Sequence, residues 1–136
     1  MFFTDGVPTK ADTFSSTVAN QTLTTARQLK DANVGVYSVG IFSGANTSVT
    51  SYDRWTNDET YKANVFMNAV SSNYPNYGSV AWDNSSGVTL SGGSDKGYYK
   101  TASTASELSK VFEDIQQTIT STNGYTGVTI QDTLSE

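Results

Sequence analysis

Val34-Gly35-Val36-Tyr37-Ser38-Val39-Gly40-Ile41 is an uncharged run rich in β-branched residues and closed by Ser43-Gly44. A strand with apolar residues on both faces reads as one buried on both faces, as in a parallel sheet. Directly ahead of it, over 18–32, Ala19, Leu23, Ala26 and Leu29 recur at three- and four-residue steps. That spacing predicts an amphipathic helix. Lys30 in its last turn suits the negative end of the helix dipole, and Asn33 stands where the helix stops. A helix running straight into such a strand is half of a βαβ unit.

Working outward, Phe2-Phe3-Thr4-Asp5-Gly6 is a second apolar run, closed by Thr-Asp-Gly. It reads as another parallel strand, but one with almost no beginning. The expectation is a sheet that lacks its opening elements, with this first strand an unpaired edge unless another chain covers it. A polar loop with Pro8 follows over 6–17. A second helix is predicted over 58–72, its apolar residues being Tyr61, Val65, Phe66, Ala69 and Val70. From Tyr74-Pro75 to residue 97 the chain is rich in Gly, Ser and Asn, and a stretch this long reads as an insert. Within it, Val80-Ala81-Trp82 and Val88-Thr89-Leu90 are expected to form a short hairpin. Tyr98-Tyr99-Lys100-Thr101-Ala102 reads as the next strand. Thr104 and Glu107 then make a capping box, opening a helix with Leu108, Val111, Phe112, Ile115 and Ile119 along one face.

The order is strand, helix, strand, helix, insert, strand, helix, tail. It predicts an α/β fold, a three-layer doubly wound (Rossmann-like) sheet, with right-handed crossovers sending the first and last helices to opposite faces or sides. Tyr125, Val128, Ile130 and Leu134 in the tail are expected to begin a following β-rich module.

Composition narrows the function. At 136 residues the chain has one domain's worth of sequence. Only 36% of it is hydrophobic and 15% charged, yet 12% is aromatic, so it reads as a folded domain with long polar loops. The formal net charge is −5 and the basic residues are scattered, which argues against nucleic acid or an anionic membrane surface as partner. The absence of Cys and His removes thiol nucleophiles, disulfides, imidazole bases and the common zinc sites. No run reaches transmembrane length and no signal segment is present. An extracellular reading therefore puts signal and anchor outside this chain.

In open α/β sheets ligands bind at the carboxyl ends of the strands. Asp5 falls there, and Gly6 allows a tight turn; by itself such an Asp reads equally as a turn cap. Asp53, Asp58 and Glu59 read as helix-dipole or turn partners, and Asp83 and Asp95 as turn residues, because a calcium loop needs more carboxylates at alternating positions. Trp55, Trp82 and Tyr77 could form a carbohydrate platform or could staple the insert to its scaffold. Asn20, Asn46 and Asn84 head glycosylation sequons, which a polar sequence also generates by chance.

Phe2-Phe3-Thr4-Asp5-Gly6-Val7-Pro8 resembles the fourth strand of a von Willebrand factor type A (VWA) domain, which ends in Thr-Asp-Gly. The helix carrying Ala26-Arg27-Gln28-Leu29-Lys30 and the strand at 34–41 are similar to the family's next helix and strand. Tyr98-Tyr99-Lys100-Thr101-Ala102, Ser106-Glu107-Leu108 and Val111-Phe112-Glu113-Asp114-Ile115 resemble its last strand and helix. Ser71-Ser72-Asn73-Tyr74-Pro75 is similar to VWA domains of Gram-positive surface and pilus-tip proteins. The resemblance covers 1–122 as a partial VWA domain, with 123–136 as linker and start of the next module. It implies binding and not catalysis: a bacterial cell-surface adhesion protein whose intact domain takes a protein or extracellular-matrix ligand through Mg²⁺. The family holds that ion with an Asp-x-Ser-x-Ser loop, a Thr from a middle loop, and the Asp of Thr-Asp-Gly. Only Asp5 matches; the sequence has no Asp-x-Ser-x-Ser, so the fragment alone is not expected to hold Mg²⁺.

Two other classes stay open. A phosphohydrolase would use Asp5 as a strand-end nucleophile, but it needs a second carboxylate two residues away, where Phe3 and Val7 stand. A short interaction protein would form a homo-oligomer through the exposed first strand.

Overall fold

The computed structural model describes residues 2–4, 9–10 and 13–123, with side chains over 14–118. Its elements are β1 (Phe2–Thr4), β2 (Thr9–Lys10), β3 (Thr13–Phe14), α1 (Ser16–Asp31), β4 (Val36–Gly40), β5 (Ser51–Tyr52), α2 (Glu59–Val70), β6 (Val88–Thr89), β7 (Tyr99–Thr101) and α3 (Ala105–Asn123). β1, β4 and β7 form a parallel sheet in that order, with Phe2 opposite Val36 and Ser38 opposite Tyr99.

β4 is buried at every residue, as its uncharged sequence requires. Its side chains alternate between two cores. Val36 packs with Ala19, Leu23 and Ala26 of α1 and Val65, Phe66 and Ala69 of α2. Tyr37 and Val39 pack with Ile115 of α3, flanked by Leu108, Val111 and Phe112. The fold is therefore mixed α/β, with α1 and α2 on one face of the sheet and α3 on the other. The first and last helices lie on opposite faces, as the crossover argument expects. Among the described residues, β1 pairs on one side only.

Both flanking helices start and stop by local chemistry. Ser15 caps α1, its hydroxyl accepting from the Val18 amide at 3.2 Å. α1 ends at Asp31 with Ala32 as its C-cap, and Asn33 beyond it adopts a left-handed φ of 63°. Thr104 caps α3 by accepting from the Glu107 amide at 3.1 Å. The Glu107 carboxylate completes the box one residue early, on the Ser103 amide and hydroxyl. Lys30 serves a helix other than its own. Its ammonium donates to the carbonyls of Ala69 and Tyr74, at 2.8 and 2.9 Å, at the C-terminal end of α2. Burial, and then the Arg27 charge, pulls Lys30 down to about 8.

Three expectations give way. The loop over 6–17 contains a small antiparallel pair, β2 with β3. α2 has no single apolar face: every residue from Ala63 to Val70 is buried, while Tyr61 is exposed. The helix is enclosed because the sheet, α1 and the connection after β4 all pack on it. The hairpin inside the insert does not form either. Val88–Thr89 is a strand, but its partner is Ser51–Tyr52. Val80 pairs instead with a side chain. Asn20 Oδ1 accepts from the Val80 amide at 2.9 Å and from Trp82 Nε1 at 3.0 Å, while its Nδ2 donates to the Val80 carbonyl at 3.2 Å. Trp82 is buried edge-on to Phe14 and nearly parallel to Tyr52, whose hydroxyl donates to the Trp82 carbonyl. Burying one indole contributes about 5 kcal/mol at most, so Trp82 is the main nail of the insert. Ile119 and the tail over 124–136 lie outside the described side chains and residues.

Candidate functional site

A cleft of about 350 Å³ opens at the carboxyl ends of β4 and β7. Phe42, Ser43, Gly44 and Ala45 form one wall; Thr101, Ala102, Ser103 and Glu107 form the other. Each wall is set by chemistry beneath it. Gly40 ends β4, where an added Cβ would meet the Tyr99 hydroxyl at 2.7 Å and Ala45 Cβ at 3.0 Å, so a side chain there would push the first wall outward. The Ala102 amide donates to the Gly40 carbonyl at 3.1 Å and joins the ends of the two strands.

Two asparagines of α2, one turn apart, hold the first wall. Asn64 Oδ1 accepts from the Asn46 amide at 2.7 Å and from the Tyr99 hydroxyl at 2.6 Å. Asn64 Nδ2 donates to the carbonyls of Gly44 and Thr60, both at 3.0 Å. Asn68 Nδ2 donates to the carbonyls of Thr47 and Val49 at 3.2 and 2.9 Å. Both side chains are 1% exposed, so every bond counts against a full desolvation cost. Burial pushes the Tyr99 phenol well above its ordinary range, keeping it a neutral donor. On the second wall the Glu107 carboxylate accepts from the Ser103 hydroxyl at 2.7 Å, from the Ser103 amide at 3.4 Å and from the Thr104 hydroxyl at 3.5 Å. Those bonds, the Ser103 hydroxyl first, hold it below the usual carboxylate range. The cleft thus combines one ionised carboxylate with the hydroxyls of Ser43, Thr101 and Ser103 and an apolar lining of Phe42, Ala45 and Ala102. The chemistry of such a set is suited to a partly apolar, cationic or hydrogen-bonding group.

Asp5 follows β1 directly in sequence, and Thr4 is in register with Ser38; Asp5 itself lies outside the described residues. Among the described residues, no three His, Cys, Asp or Glu side chains cluster as metal ligands. The other acids have local duties. Asp53 Oδ1 accepts from the amides of Trp55 and Thr56 and the Thr56 hydroxyl. Asp58 caps α2, and Asp95 accepts from the Gly97 amide. Asp83 takes a long bond from the Ser16 hydroxyl at 3.5 Å. The three aromatics do not assemble into a platform. Trp82 is buried, Tyr77 packs on Tyr74, and Trp55 stands 81% exposed. The Asn20 sequon is consumed by Val80 and Trp82, whereas Asn46 and Asn84 sit in exposed turns.

Sequence reasoning missed Asn64 and Asn68. Their signal was present: two amides at i and i+4 inside an otherwise apolar helical stretch, where a polar side chain must find partners.

No protein-family model, curated protein or solved structure matches this chain.

Proposed function

We propose that residues 1–122 are the later part of a VWA-type, Rossmann-like binding domain of a bacterial cell-surface adhesion protein, with 123–136 leading toward a β-rich module. On this reading the intact domain binds a protein or matrix ligand outside the cell. The observation that carries it is the parallel sheet β1-β4-β7, with helices on both faces and a cleft at the strand ends. Thr4 ends β1, and Asp5-Gly6 come directly after it in sequence. The Mg²⁺ that the resemblance implies needs about six oxygens in near-octahedral order. The described residues do not supply such a set, so they do not fit the ion. On this reading Asp5 is one ligand, and the others come from a polypeptide segment outside this sequence.

The test is the reading frame upstream of Met1, followed by calorimetry. The expectation is an apolar strand and an Asp-x-Ser-x-Ser loop ahead of Met1, with saturable Mg²⁺ binding in the longer polypeptide that is lost in Asp5→Asn. The absence of that loop, or Mg²⁺ binding indifferent to Asp5→Asn, overturns the reading.

A further inference from the structure

Trp55 is 81% exposed at the tip of the connection between β5 and α2. Trp is highly buried on average, so an indole this exposed is unusual, and aromatic residues are enriched at protein interfaces. The loop that displays it is tightly built. Asp53 Oδ1 accepts from the Trp55 amide at 2.8 Å, the Thr56 amide at 3.0 Å and the Thr56 hydroxyl at 3.0 Å, and the Asp53 amide donates to the Thr56 hydroxyl at 2.9 Å. A backbone bound this way loses little further freedom on docking. The Arg54 guanidinium lies 5.1 Å from the centre of the Trp55 ring. Among the described residues the ion pair formed is Arg27 with Asp31; Arg54 makes no salt bridge there, and its charge, which also acts on the neighbouring Asp53 carboxylate, can meet a further one. Trp and Arg are the residue types that dominate protein-interface energetics.

The same chain offers a matching hole. The strand-end cleft, about 350 Å³, has Phe42, Ala45 and Ala102 for a ring to pack on, and the Glu107 carboxylate beside them. We propose that Trp55 of one copy seats in the strand-end cleft of a second copy, with Arg54 meeting Glu107 there. The seated ring gains an aromatic contact with Phe42, and the guanidinium–carboxylate pair adds orientation. Knob and hole are different surfaces, so the contact is heterologous: in a pair, one copy keeps a free hole and the other a free knob. The contact uses residues of the β4 and β7 ends and of the β5–α2 connection, and it does not depend on the VWA reading. One ring and one ion pair make a small interface, so the expected Kd is weak, on the order of 100 μM.

Sedimentation velocity of the whole chain over rising concentration tests this, together with tryptophan emission. Trp82 is 2% exposed, so a concentration-dependent blue shift reports Trp55. Trp55→Ala removes the knob. Ser43→Arg, at an exposed lining position, fills the hole and sets a like charge against Arg54. Each variant alone should weaken association by at least ~10-fold, and each should match the parent in far-UV circular dichroism. Mixed together they should restore a one-to-one dimer that grows no further. Three results overturn the proposal: a monomer at every concentration up to about 1 mM, association unchanged by Trp55→Ala, or a mixture of folded variants that stays monomeric.

Discussion

Asn64→Ala should destabilise the chain by about 3–5 kcal/mol. The truncation removes the acceptor of the Tyr99 hydroxyl and the Asn46 amide, and the donor to the Gly44 and Thr60 carbonyls. These groups do not suffer equally. Tyr99 is 2% exposed, so its hydroxyl is stranded at about 1–3 kcal/mol. Asn46 and Gly44 are on an exposed connection and can turn to water, and losing their bonds costs about 1 kcal/mol each. A domain of this size has roughly 5–15 kcal/mol to lose. The assay is urea unfolding of Asn64→Ala, Tyr99→Phe and the double variant. Tyr99→Phe removes the stranded hydroxyl, so in the Asn64→Ala background it should cost about 1–2 kcal/mol less than in the parent. The midpoint should fall with the m-value unchanged. A loss under about 0.5 kcal/mol for Asn64→Ala, or strict additivity across the cycle, would refute the claim that this amide holds the wall.

Two further outcomes follow from the same reasoning. Asn20→Ala leaves Trp82 Nε1 and the Val80 amide without their acceptor and should cost about 2–3 kcal/mol, with red-shifted Trp82 emission as the insert loosens; unchanged emission and stability would contradict the staple. Stability should rise with pH from about 8 and then fall above about 10. Lys30 titrates near 8 when folded and near 10.5 when unfolded, so between these values the unfolded chain holds more protons. Tyr52, raised by burial to about 12, and Tyr37 and Tyr99, raised likewise, ionise earlier in the unfolded chain, near about 10, so stability then drops. Urea midpoints across that range check the sign, and a monotonic decline from pH 8 would count against the Lys30 assignment.

The elements that were legible in the sequence are those that carry a period. β4, α1 and α3 announce themselves through β-branched continuity, three- and four-residue steps, and the Thr104–Glu107 box. α2 was found but its faces were misread, because a helix packed on every side has no single apolar stripe to show. The insert was opaque for another reason. β5 and β6 are two residues long and lie more than thirty positions apart, too short for any pattern to register. Val80 is paired by a side-chain amide, which leaves no strand signal. The end of the sheet where a site would lie followed from the strand-end rule. The cleft's lining did not, because it depends on where two buried asparagines pull a polar connection.

Those asparagines reach only main-chain groups of the wall: the amide of Asn46 and the carbonyls of Gly44, Thr47 and Val49. The wall is therefore fastened by its peptide units, with Phe42 and Val49 packing on the core beside them. Exposed Ser43 can be exchanged while the frame keeps its shape, whereas Phe42 packs on the core and Gly44 has a φ of 87° that suits only glycine. The arrangement separates the part that holds from the part that recognises, and it makes the cleft a surface whose preference can be rewritten one side chain at a time.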